Sequence, residues 1–351
     1  MTEEYYQDEE LNEAEENSPE LYERHRFVAD KGQGALRVDR FLSNMLGNSV
    51  SRTRIQEAAQ AGYIKVNHCS VKSNHKIKPL DVVTVSLDYP QDDFTVFAEN
   101  IPVNIAYEDD DILLIDKQPG LCVHPAVGNR SGTLLNALAY YFRDSANFDA
   151  NNPKIGLVHR IDKDTSGLLL IAKTEFAKSN LGQQFFDKTT ERTYNALVWG
   201  VVKEDSGTIT GNIARDTKDR QSFRIYTEEE NPAAKYAITH YRVLQRFEYV
   251  TLVECKLETG RTHQIRVHFQ SIGHSLFNDA KYGGAEIVKG NLFAKYKQFV
   301  LNCFEVCPRQ ALHAKTLGFI HPTKQEWMQF DSELPEDFQA LLEKWKNYSK
   351  G

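Results

Sequence analysis

The sequence has few cysteines and no long apolar run. Its 351 residues include five cysteines, an odd number, and none of them forms a C-x-x-C pair. Such usage is typical of a protein whose thiols stay reduced, so we expect a cytoplasmic location and no disulfide framework. No stretch approaches the roughly 18 apolar residues that a membrane helix needs, and the acidic N-terminus does not resemble a signal peptide. We therefore expect no membrane partner.

Zinc motifs, nucleotide-binding motifs and the motif of serine hydrolases are also missing. Cys303 and Cys307 lie near one another, but no second ligand pair follows at the spacing of a zinc finger, so we interpret them as ordinary thiols. The chain has no G-x-x-x-x-G-K-[ST] loop, no kinase D-F-G and no G-x-S-x-G elbow, and KGQGALR is too weak a match to a phosphate loop. We expect neither a metal nor a nucleotide cofactor.

The formal charge of −7 hides an uneven distribution. Residues 1–25 carry ten acidic side chains and one basic one, whereas residues 36–86 carry eight lysines and arginines against three acids. Because charge of one sign at that density leaves little to join a core, we predict a disordered acidic tail over residues 1–30. The basic segment suits a nucleic-acid partner, because local patches rather than the chain-wide sum decide phosphate binding.

Residues 31–90 are predicted to form a small α/β module. RVDRFLSNML indicates a helix with Phe41, Leu42 and Met45 on one face. SRTRIQEAAQAG indicates a second helix between Ser51 as N-cap and Gly62, and YIKVN and VVTVSL have the character of strands. Basic side chains beside a helix N-terminus suit phosphate oxygens. The candidate RNA contacts of this module are Arg37, Arg40, Arg52, Arg54 and Lys65.

This segment resembles the S-four-type RNA-binding module, named after a small-subunit ribosomal protein. The pattern of that module begins with R-x-D-x-x-L, continues with S-R and ends with G-x-V-x-V-N. The matching residues are Arg37, Asp39, Leu42, Ser51, Arg52, Gly62, Ile64, Val66 and Asn67. The resemblance implies that the module binds structured RNA and performs no chemistry.

Residues 91–100 are predicted to be a linker, and residues 101–351 a larger domain of mixed strands and helices. DDDILLIDKQ and TYNALVWGVV indicate strands, and AITHYRVLQRFEYVTLVECKLETG a long antiparallel hairpin. THQIRVHFQSIG indicates a helix with Ile265, Phe269 and Ile272 inward and Gly273 at its end. EDFQALLEKWKNY indicates an amphipathic closing helix.

The segment GLVHRIDKDTSGLLLIAKT, residues 156–174, presses polar side chains between apolar runs. A kinase catalytic loop reads H-R-D-x-x-x-x-N, but here Ile161 precedes Asp162 and the asparagine is missing. A carboxylate can instead act at a sugar carbon, because breaking a glycosidic bond passes through a positively charged state. Asp162 would then be ionised and held by a cation, which predicts an arginine partner elsewhere in the chain.

The same segment closely resembles the signature H-R-[LI]-D-x-x-T-S-G of the RluA/RluD-type RNA pseudouridine synthases. Further blocks agree in order, and the resemblance covers residues 36–345. These blocks are YEDDDILLIDKQPGLCVHPAVGNRSGTLLNAL, ERTYNALVWG, LETGRTHQIRVHFQSIGH and PRQALHAKTLGFIHP. One departure is GHSLFND, where the family has G-H-P-I-x-G-D: Ser275, Phe277 and Asn278 replace the expected residues and Asp279 remains.

The resemblance implies an α+β fold, with a mixed, largely antiparallel central sheet flanked by helices. It implies isomerisation of specific uridines to pseudouridine in structured RNA, most of all large-subunit ribosomal RNA, by a monomer that flips the uridine into a pocket. Asp162 would act at the glycosidic bond, by attack on the sugar, by attack on the base or by proton abstraction. Tyr194 would stack on the base and assist the final deprotonation.

Arg266 is our candidate for the cation that pairs with Asp162, because it lies one residue off the buried stripe of its helix. Arg160 and Arg261 are expected to contact RNA, and His159 and Thr165 to line the substrate site. We expect His159, His263 and His268 to be hydrogen-bonded structural residues rather than bases, as this isomerisation can run without one. The remaining alternatives are a non-catalytic RNA-binding assembly factor and a synthase acting on transfer RNA. An RNA methyltransferase would need a glycine-rich nucleotide loop that we do not find.

Overall fold

The computed structural model of the chain describes residues 22–32, 34–46, 52–87, 96–125, 131–144, 156–219, 221–291 and 293–349. The chain divides into two compact units, with the boundary between Asp93 and Phe94. Residues 1–21 of the predicted tail, Ser51 and the first half of the predicted linker, residues 91–95, lie outside the described residues. In the described part of the chain, each helix is too short or too polar to cross a membrane.

The N-terminal unit combines two helices with short antiparallel strands. Its four-stranded sheet has the order β1-β6-β3-β4, and β2 pairs with β5. The elements in chain order are β1 (Tyr22–Val28), β2 (Leu36–Arg37), α1 (Val38–Leu46), α2 (Arg52–Gln60), β3 (Ile64–Val66), β4 (Cys69–Ser70), β5 (Lys76–Ile77) and β6 (Val82–Leu87).

Two predictions about this unit are wrong. The predicted tail extends to residue 30, but Tyr22–Val28 forms β1 and pairs with β6. Phe27 packs edge-on against Phe41, so the end of the acidic segment supplies core side chains that a charge count does not register. Met45 is 50% exposed rather than buried with Phe41 and Leu42. The buried face of α1 is instead the first turn, where Val38 lies at the i−3 and i−4 spacing from those two residues.

The larger unit is built on one sheet that is antiparallel except where β15 runs parallel to β9, and the predicted fold class is confirmed. The strand order is β12-β11-β13-β14-β10-β15-β9-β8-β7, with β16 on β15. The strands are β7 (Ile105–Glu108), β8 (Ile112–Lys117), β9 (Ser166–Ala172), β10 (Glu191–Trp199), β11 (Ser206–Arg215), β12 (Phe223–Tyr226), β13 (Lys235–Arg246), β14 (Val250–Leu257), β15 (Leu312–Ile320) and β16 (Trp327–Asp331).

Five α-helices accompany this sheet in the described residues. They are α3 (Leu134–Tyr141), α4 (Glu175–Asp187), α5 (Gln264–Ser271), α6 (Ala294–Val306) and α7 (Glu336–Tyr348). Side chains of α3 and α5 share one apolar core with the central strands, while α6 and α7 build a second core around Trp199 and Trp345. The predicted hairpin is β13–β14, in which Tyr241 lies opposite Cys255.

One helix prediction in this unit fails at its end. Ile272 is 42% exposed, although Ile265 and Phe269 are buried as expected. Helix α5 ends at Ser271, and Gly273 then adopts a positive φ of 78°. Because the chain turns away there, Ile272 no longer follows the helical spacing of the other two residues.

Candidate active site

The loop that carries Asp162 enters the sheet at its parallel strand pair. The backbone N–H of Thr165 donates to the carbonyl oxygen of Asp162 at 3.1 Å, which closes the predicted turn. Gly167 follows with φ of 105°, where a Cβ atom would clash with the backbone of Ala314. Only glycine allows β9 to approach β15 so closely, and this approach fixes where the Asp162 loop leaves the sheet.

Arg266 joins two carboxylates. Its Nη1 donates to Oδ2 of Asp162 at 2.9 Å, across 104 positions of sequence. Its Nε and Nη2 donate to the two carboxylate oxygens of Asp279 at 2.7 and 2.9 Å. Burial opposes the charge of Arg266, but the hydrogen bonds and charges of Asp279 and Asp162 outweigh it and raise the pKa of the guanidinium. Arg266 is therefore a fixed cation. Asp279 holds its Nε and Nη2, and this orients Nη1 toward Asp162.

The second oxygen of Asp162 faces a histidine. Phe223 donates its backbone N–H to the Tyr282 hydroxyl oxygen, and that hydroxyl lies 2.7 Å from Nδ1 of His263. Nε2 of the same ring lies 3.8 Å from Oδ1 of Asp162, the carboxylate oxygen that Arg266 does not hold. Burial lowers the pKa of His263 to about 4, so this ring is neutral near pH 7.

A cavity of about 560 Å³ opens beside this carboxylate. The side chains that shape it include Asp162, Arg266, Tyr194, Thr165, His159, Arg160, Arg192, Arg261, His263, Phe185 and Phe186. Tyr194 is 8% exposed on β10, and burial raises the pKa of its hydroxyl, while the charge of Arg192 lowers it and that of Asp162 raises it. The Thr165 hydroxyl is buried and has no hydrogen-bond partner among the described residues.

The histidines expected to be structural each make a hydrogen bond. Nε2 of His159 accepts the backbone N–H of Leu170 at 2.8 Å, and its ring stacks on Phe185. Nδ1 of His268 lies 2.9 Å from the Thr239 hydroxyl. Burial lowers the pKa of His159 to about 3 and that of His268 to about 4. His159 thus contributes a wall of the cavity, and its Nε2 is already used by the protein.

The two arginines at the mouth of the cavity differ in their contacts. Arg160 is exposed, next to the carboxylate loop. Arg261 donates from Nε to the carbonyl of Tyr236 at 3.2 Å, and its backbone N–H donates to Gln264. Asp162 is thus contacted by Arg266, whereas the side chain of Arg261 is hydrogen-bonded to the backbone of Tyr236.

Two buried cations that the sequence analysis did not single out donate hydrogen bonds to backbone carbonyls of the Asp162 loop. Lys117 is 1% exposed and donates from Nζ to the carbonyls of Gln118, Leu121 and Lys163 at 2.8 to 3.0 Å. Arg309 pairs with Asp337 and donates from Nη1 to the carbonyl of Asp164 at 3.0 Å. Both residues lie in blocks quoted above for the family resemblance, which was the available signal. Neither stands out by local spacing or charge.

The unusual loop GHSLFND is well connected. Ser275 donates its hydroxyl to the carbonyl of Tyr282, and Asn278, at a positive φ of 57°, donates to the carbonyls of Phe304 and Cys307. Phe277 is completely buried in the aromatic core beside Trp199. The departures from the family pattern are therefore accommodated locally, and Asp279 keeps its contacts with Arg266.

Two of the basic candidates of the N-terminal unit contact a buried acid. Arg37 and Arg52 each donate to the carboxylate of Asp39, whose pKa falls to about 2 because hydrogen bonds from Gln56 and both arginines outweigh its burial. The two arginine side chains remain 42% and 44% exposed. Arg40 is exposed and Lys65 is half-buried. Arg54 lies in α2, and its side chain is outside the described residues.

One cluster of the described residues has the composition of a metal site, namely Asp109, Asp111 and His321. Two of its members already bind one another: Asp109 Oδ2 accepts from His321 and from the ammonium of Lys324 at 2.9 and 2.8 Å. Backbone N–H groups donate to Nδ1 of His321, so Nε2 carries the proton toward Asp109. The cluster is a hydrogen-bonded turn, and the lysine takes the place that a cation would need. Cys303 and Cys307 are free and buried.

Comparison with known proteins identifies the family of the chain. Residues 111–271 match the family model described as RNA pseudouridylate synthase. The chain is 43% identical to an uncharacterized RNA pseudouridine synthase, YlyB, of Bacillus subtilis over 90% of this chain and 96% of that protein. It is 40% identical to the ribosomal large subunit pseudouridine synthase D of Pseudomonas aeruginosa over 88% and 92% of the two chains.

Among solved structures, human RNA pseudouridylate synthase domain containing 1 superimposes with a TM-score of 0.51 at 24% identity. The match covers 70% of this chain and 89% of that one. This likeness concerns the fold, whereas the curated relatives span nearly the whole chain at much higher identity. The chain belongs to the RNA pseudouridine synthases, the isomerases that convert uridine to pseudouridine in RNA.

Proposed function

We propose that this protein isomerises specific uridines of large-subunit ribosomal RNA and that Asp162 is the catalytic carboxylate. The observation that carries the role of Asp162 is its asymmetric binding: Arg266 holds Oδ2, while Oδ1 lies beside the cavity. A carboxylate held in this way has one oxygen fixed by a cation and the other available for the substrate. The relative in Pseudomonas aeruginosa, named for the ribosomal large subunit, supports the choice of RNA.

The cavity suits a uracil that has left its stack. Tyr194 offers an aromatic face next to Asp162, and its hydroxyl is protonated near pH 7, so an ionised Tyr194 is not the resting state. The unpartnered hydroxyl of Thr165 is a hydrogen-bond group that a bound base can satisfy. Uridine within a duplex could not reach Asp162, and we therefore propose that it enters by base flipping.

The N-terminal unit is proposed to bind RNA as an S-four-type module. The half-exposed guanidinium groups of Arg37 and Arg52 are oriented by Asp39, and exposed Arg40 lies on the same helix as that acid. Fixed arginines of this kind suit phosphate oxygens, since each planar group still has free N–H donors. Asp39 reduces the net charge of this surface, so orientation rather than charge alone would supply its selectivity.

The test is a map of pseudouridines in cells that lack the protein. We expect specific positions of large-subunit ribosomal RNA to lose pseudouridine, and we expect the wild-type gene to restore them. Asp162→Asn should not restore them, while Asp164→Asn, a matched change two residues away in the same loop, should. Loss of the modification from transfer RNA alone would contradict the ribosomal assignment. Full restoration by Asp162→Asn would contradict the catalytic role and favour a non-catalytic RNA-binding factor.

A further inference from the structure

Arg192 is a buried cation that forms no ion pair with any of the described residues. It is 8% exposed, it lines the active-site cavity, and its Nε has no hydrogen-bond partner among the described residues. The other buried arginines in this part of the chain are both paired, Arg266 with Asp279 and Asp162 and Arg309 with Asp337. Arg192 differs from them although it lies in the same unit.

Such a residue is costly for the fold. A guanidinium taken out of water loses hydration, and hydrogen-bond acceptors or a partner of opposite charge must replace it. Burial lowers the pKa of Arg192, and the interaction with Tyr194 opposes this only in part. Its remaining contacts are with the ring of Phe185, 5.4 Å from the guanidinium carbon, and with Gly260, where an added Cβ would lie 2.9 Å from Nη1. None of these neighbours supplies a negative charge.

The position of Arg192 indicates which anion fits. Arg192 and Tyr194 are two residues apart on β10, so both side chains point to the same face of the sheet, roughly 7 Å apart along the strand. A uracil against Tyr194 would therefore place a phosphate of its own nucleotide within reach of Arg192. A planar guanidinium binds a phosphate through two parallel hydrogen bonds, which would also satisfy Nε.

We propose that Arg192 binds the phosphate next to the flipped uridine and so sets how deeply the nucleotide enters the cavity. This inference rests on the proposed function, because it takes the cavity to be the uridine site. It adds a residue that holds the substrate without taking part in the chemical step. Arg192 is thus a binding residue. A purely structural arginine at this position would pair with a carboxylate of the protein.

The test compares two probes, uridine and uridine 3′,5′-bisphosphate, by titration calorimetry on the full-length protein. The wild type should bind the bisphosphate at least tenfold more tightly than uridine. Arg192→Met should bind the two within about twofold of each other, and Arg192→Lys should keep part of the difference. Arg224→Met removes a half-exposed arginine outside the cavity and should leave the ratio at its wild-type value. A wild type that binds both probes equally, or neither, overturns the proposal.

Thermal unfolding separates this role from a structural one. Because Arg192 has no partner without RNA, Arg192→Met should melt at the same temperature as the wild type or a few degrees higher, about 2–4 °C. Arg309→Met, which leaves Asp337 without its partner, should melt lower. Added bisphosphate should raise the melting temperature of the wild type and not that of Arg192→Met. A lower melting temperature for Arg192→Met together with retained phosphate selectivity would make Arg192 a structural residue.

Neither measurement depends on which RNA is modified. If the pseudouridine map shows no loss from ribosomal RNA, the ribosomal assignment fails while the phosphate selectivity of Arg192 stands. On whichever RNA is modified, Arg192→Met should raise the half-saturating RNA concentration at least tenfold. It should reduce the salt slope of binding by about one and change the saturating single-turnover rate less than threefold. An unchanged half-saturating concentration would also overturn the proposal.

Discussion

Arg266 and Asp279 form a buried two-point ion pair, with distances of 2.7 Å from Nε to Oδ2 and 2.9 Å from Nη2 to Oδ1. This pair leaves Nη1 of Arg266 free to reach Asp162. Asp279 also accepts the backbone N–H groups of Lys281 and Tyr282, which anchors the carboxylate in its own turn. The direction of the cation at the Asp162 loop is therefore decided by a residue that does not line the cavity.

Replacing Asp279 should affect stability and chemistry together. Asp279→Asn keeps the volume but removes the charge from a fully buried pair, and breaking such a pair costs about 3–5 kcal/mol. We expect about 3 kcal/mol here, because Arg266 keeps its contact with Asp162. The saturating single-turnover rate should fall about 10- to 100-fold, since a small displacement of Arg266 misplaces Asp162. Urea unfolding and single-turnover kinetics measure the two effects.

The control for this change is Asp331→Asn. It removes an exposed partner of Lys315, a kind of pair worth about 0–1 kcal/mol, so stability and rate should stay near those of the wild type. If Asp279→Asn behaved like this control, Asp162 alone would suffice to hold Arg266.

Arg266→Lys is not expected to be a conservative change. A lysine cannot contact Asp279 through two points and Asp162 through a third. The chemical step should therefore slow at least 100-fold at saturating enzyme, while RNA affinity changes little. The rim residue Arg261 is the matched comparison: Arg261→Lys should alter mainly binding and its salt dependence. Single-turnover rates beside equilibrium binding distinguish the two, and a loss of the chemical step only in Arg261→Lys would reverse the assignment.

Lys117 supports the same loop from its backbone side. Lys117→Met removes one donor from three carbonyl acceptors, including that of Lys163 next to Asp162, and an unsatisfied buried acceptor costs about 1–3 kcal/mol. Losing the buried charge offsets part of this, so we expect a net loss of about 2–4 kcal/mol and a slower chemical step. Urea unfolding measures the loss, and Lys163→Met, an exposed change in the same loop, should leave stability within about 0.5 kcal/mol. Equal stability of both variants would contradict the supporting role.

The pairing of Arg266 with Asp162 could be anticipated from sequence because two local patterns met. The helical stripe of Ile265 and Phe269 placed Arg266 beside a buried face, and a carboxylate between apolar runs needed a cation. What the sequence could not supply was Asp279 as the second anchor, because the pair is set by how a loop folds back onto α5. The periodicity of a single helix or strand does not predict which loop folds back onto it.

The same limit explains the residues that were missed or misplaced. The alternation of residues along β10 places Arg192 on a buried face. Whether a carboxylate lies beside its guanidinium depends instead on strands that are distant in the sequence. Met45 and Ile272 follow the helical spacing yet lie where their helices end, so the spacing predicts a burial that the chain does not continue to provide. Strand pairing beyond neighbouring hairpins, such as parallel β9 and β15, was likewise not predicted.

The N-terminal unit should contribute RNA affinity and no chemistry. Among the described residues, its apolar core is built from residues 27–85, and the residues that line the cavity come after Phe94. A chain without residues 1–93 should therefore fold, bind RNA at least tenfold more weakly and show a flatter salt dependence. Filter binding at several salt concentrations measures both. A shortened chain with unchanged affinity and salt slope would show that this unit does not contact the RNA.

Buried histidines should make the larger unit less stable in mild acid. The pKa values of His159, His263 and His268 fall to about 3, 4 and 4 on folding, whereas an exposed histidine titrates near 6.5. Between pH 6.5 and about 4 the unfolded chain thus binds more protons than the native one. The contribution of these histidines to the free energy of unfolding is fully present above pH 6.5. It decreases as the pH falls through this window, by about 1 kcal/mol per histidine at pH 5.5.

Urea unfolding at pH 7.5 and pH 5.5, followed by the fluorescence of buried Trp199 and Trp345, measures this decrease in the larger unit. Asp39 does not interfere, because its pKa of about 2 affects stability only below roughly pH 4. His268→Asn removes one of the three groups, so its free energy of unfolding should change with pH by about 1 kcal/mol less than that of the wild type. A wild type equally stable at both pH values would mean that these rings accept protons in the native state. The conclusion that His263 is neutral beside Asp162 would then be wrong.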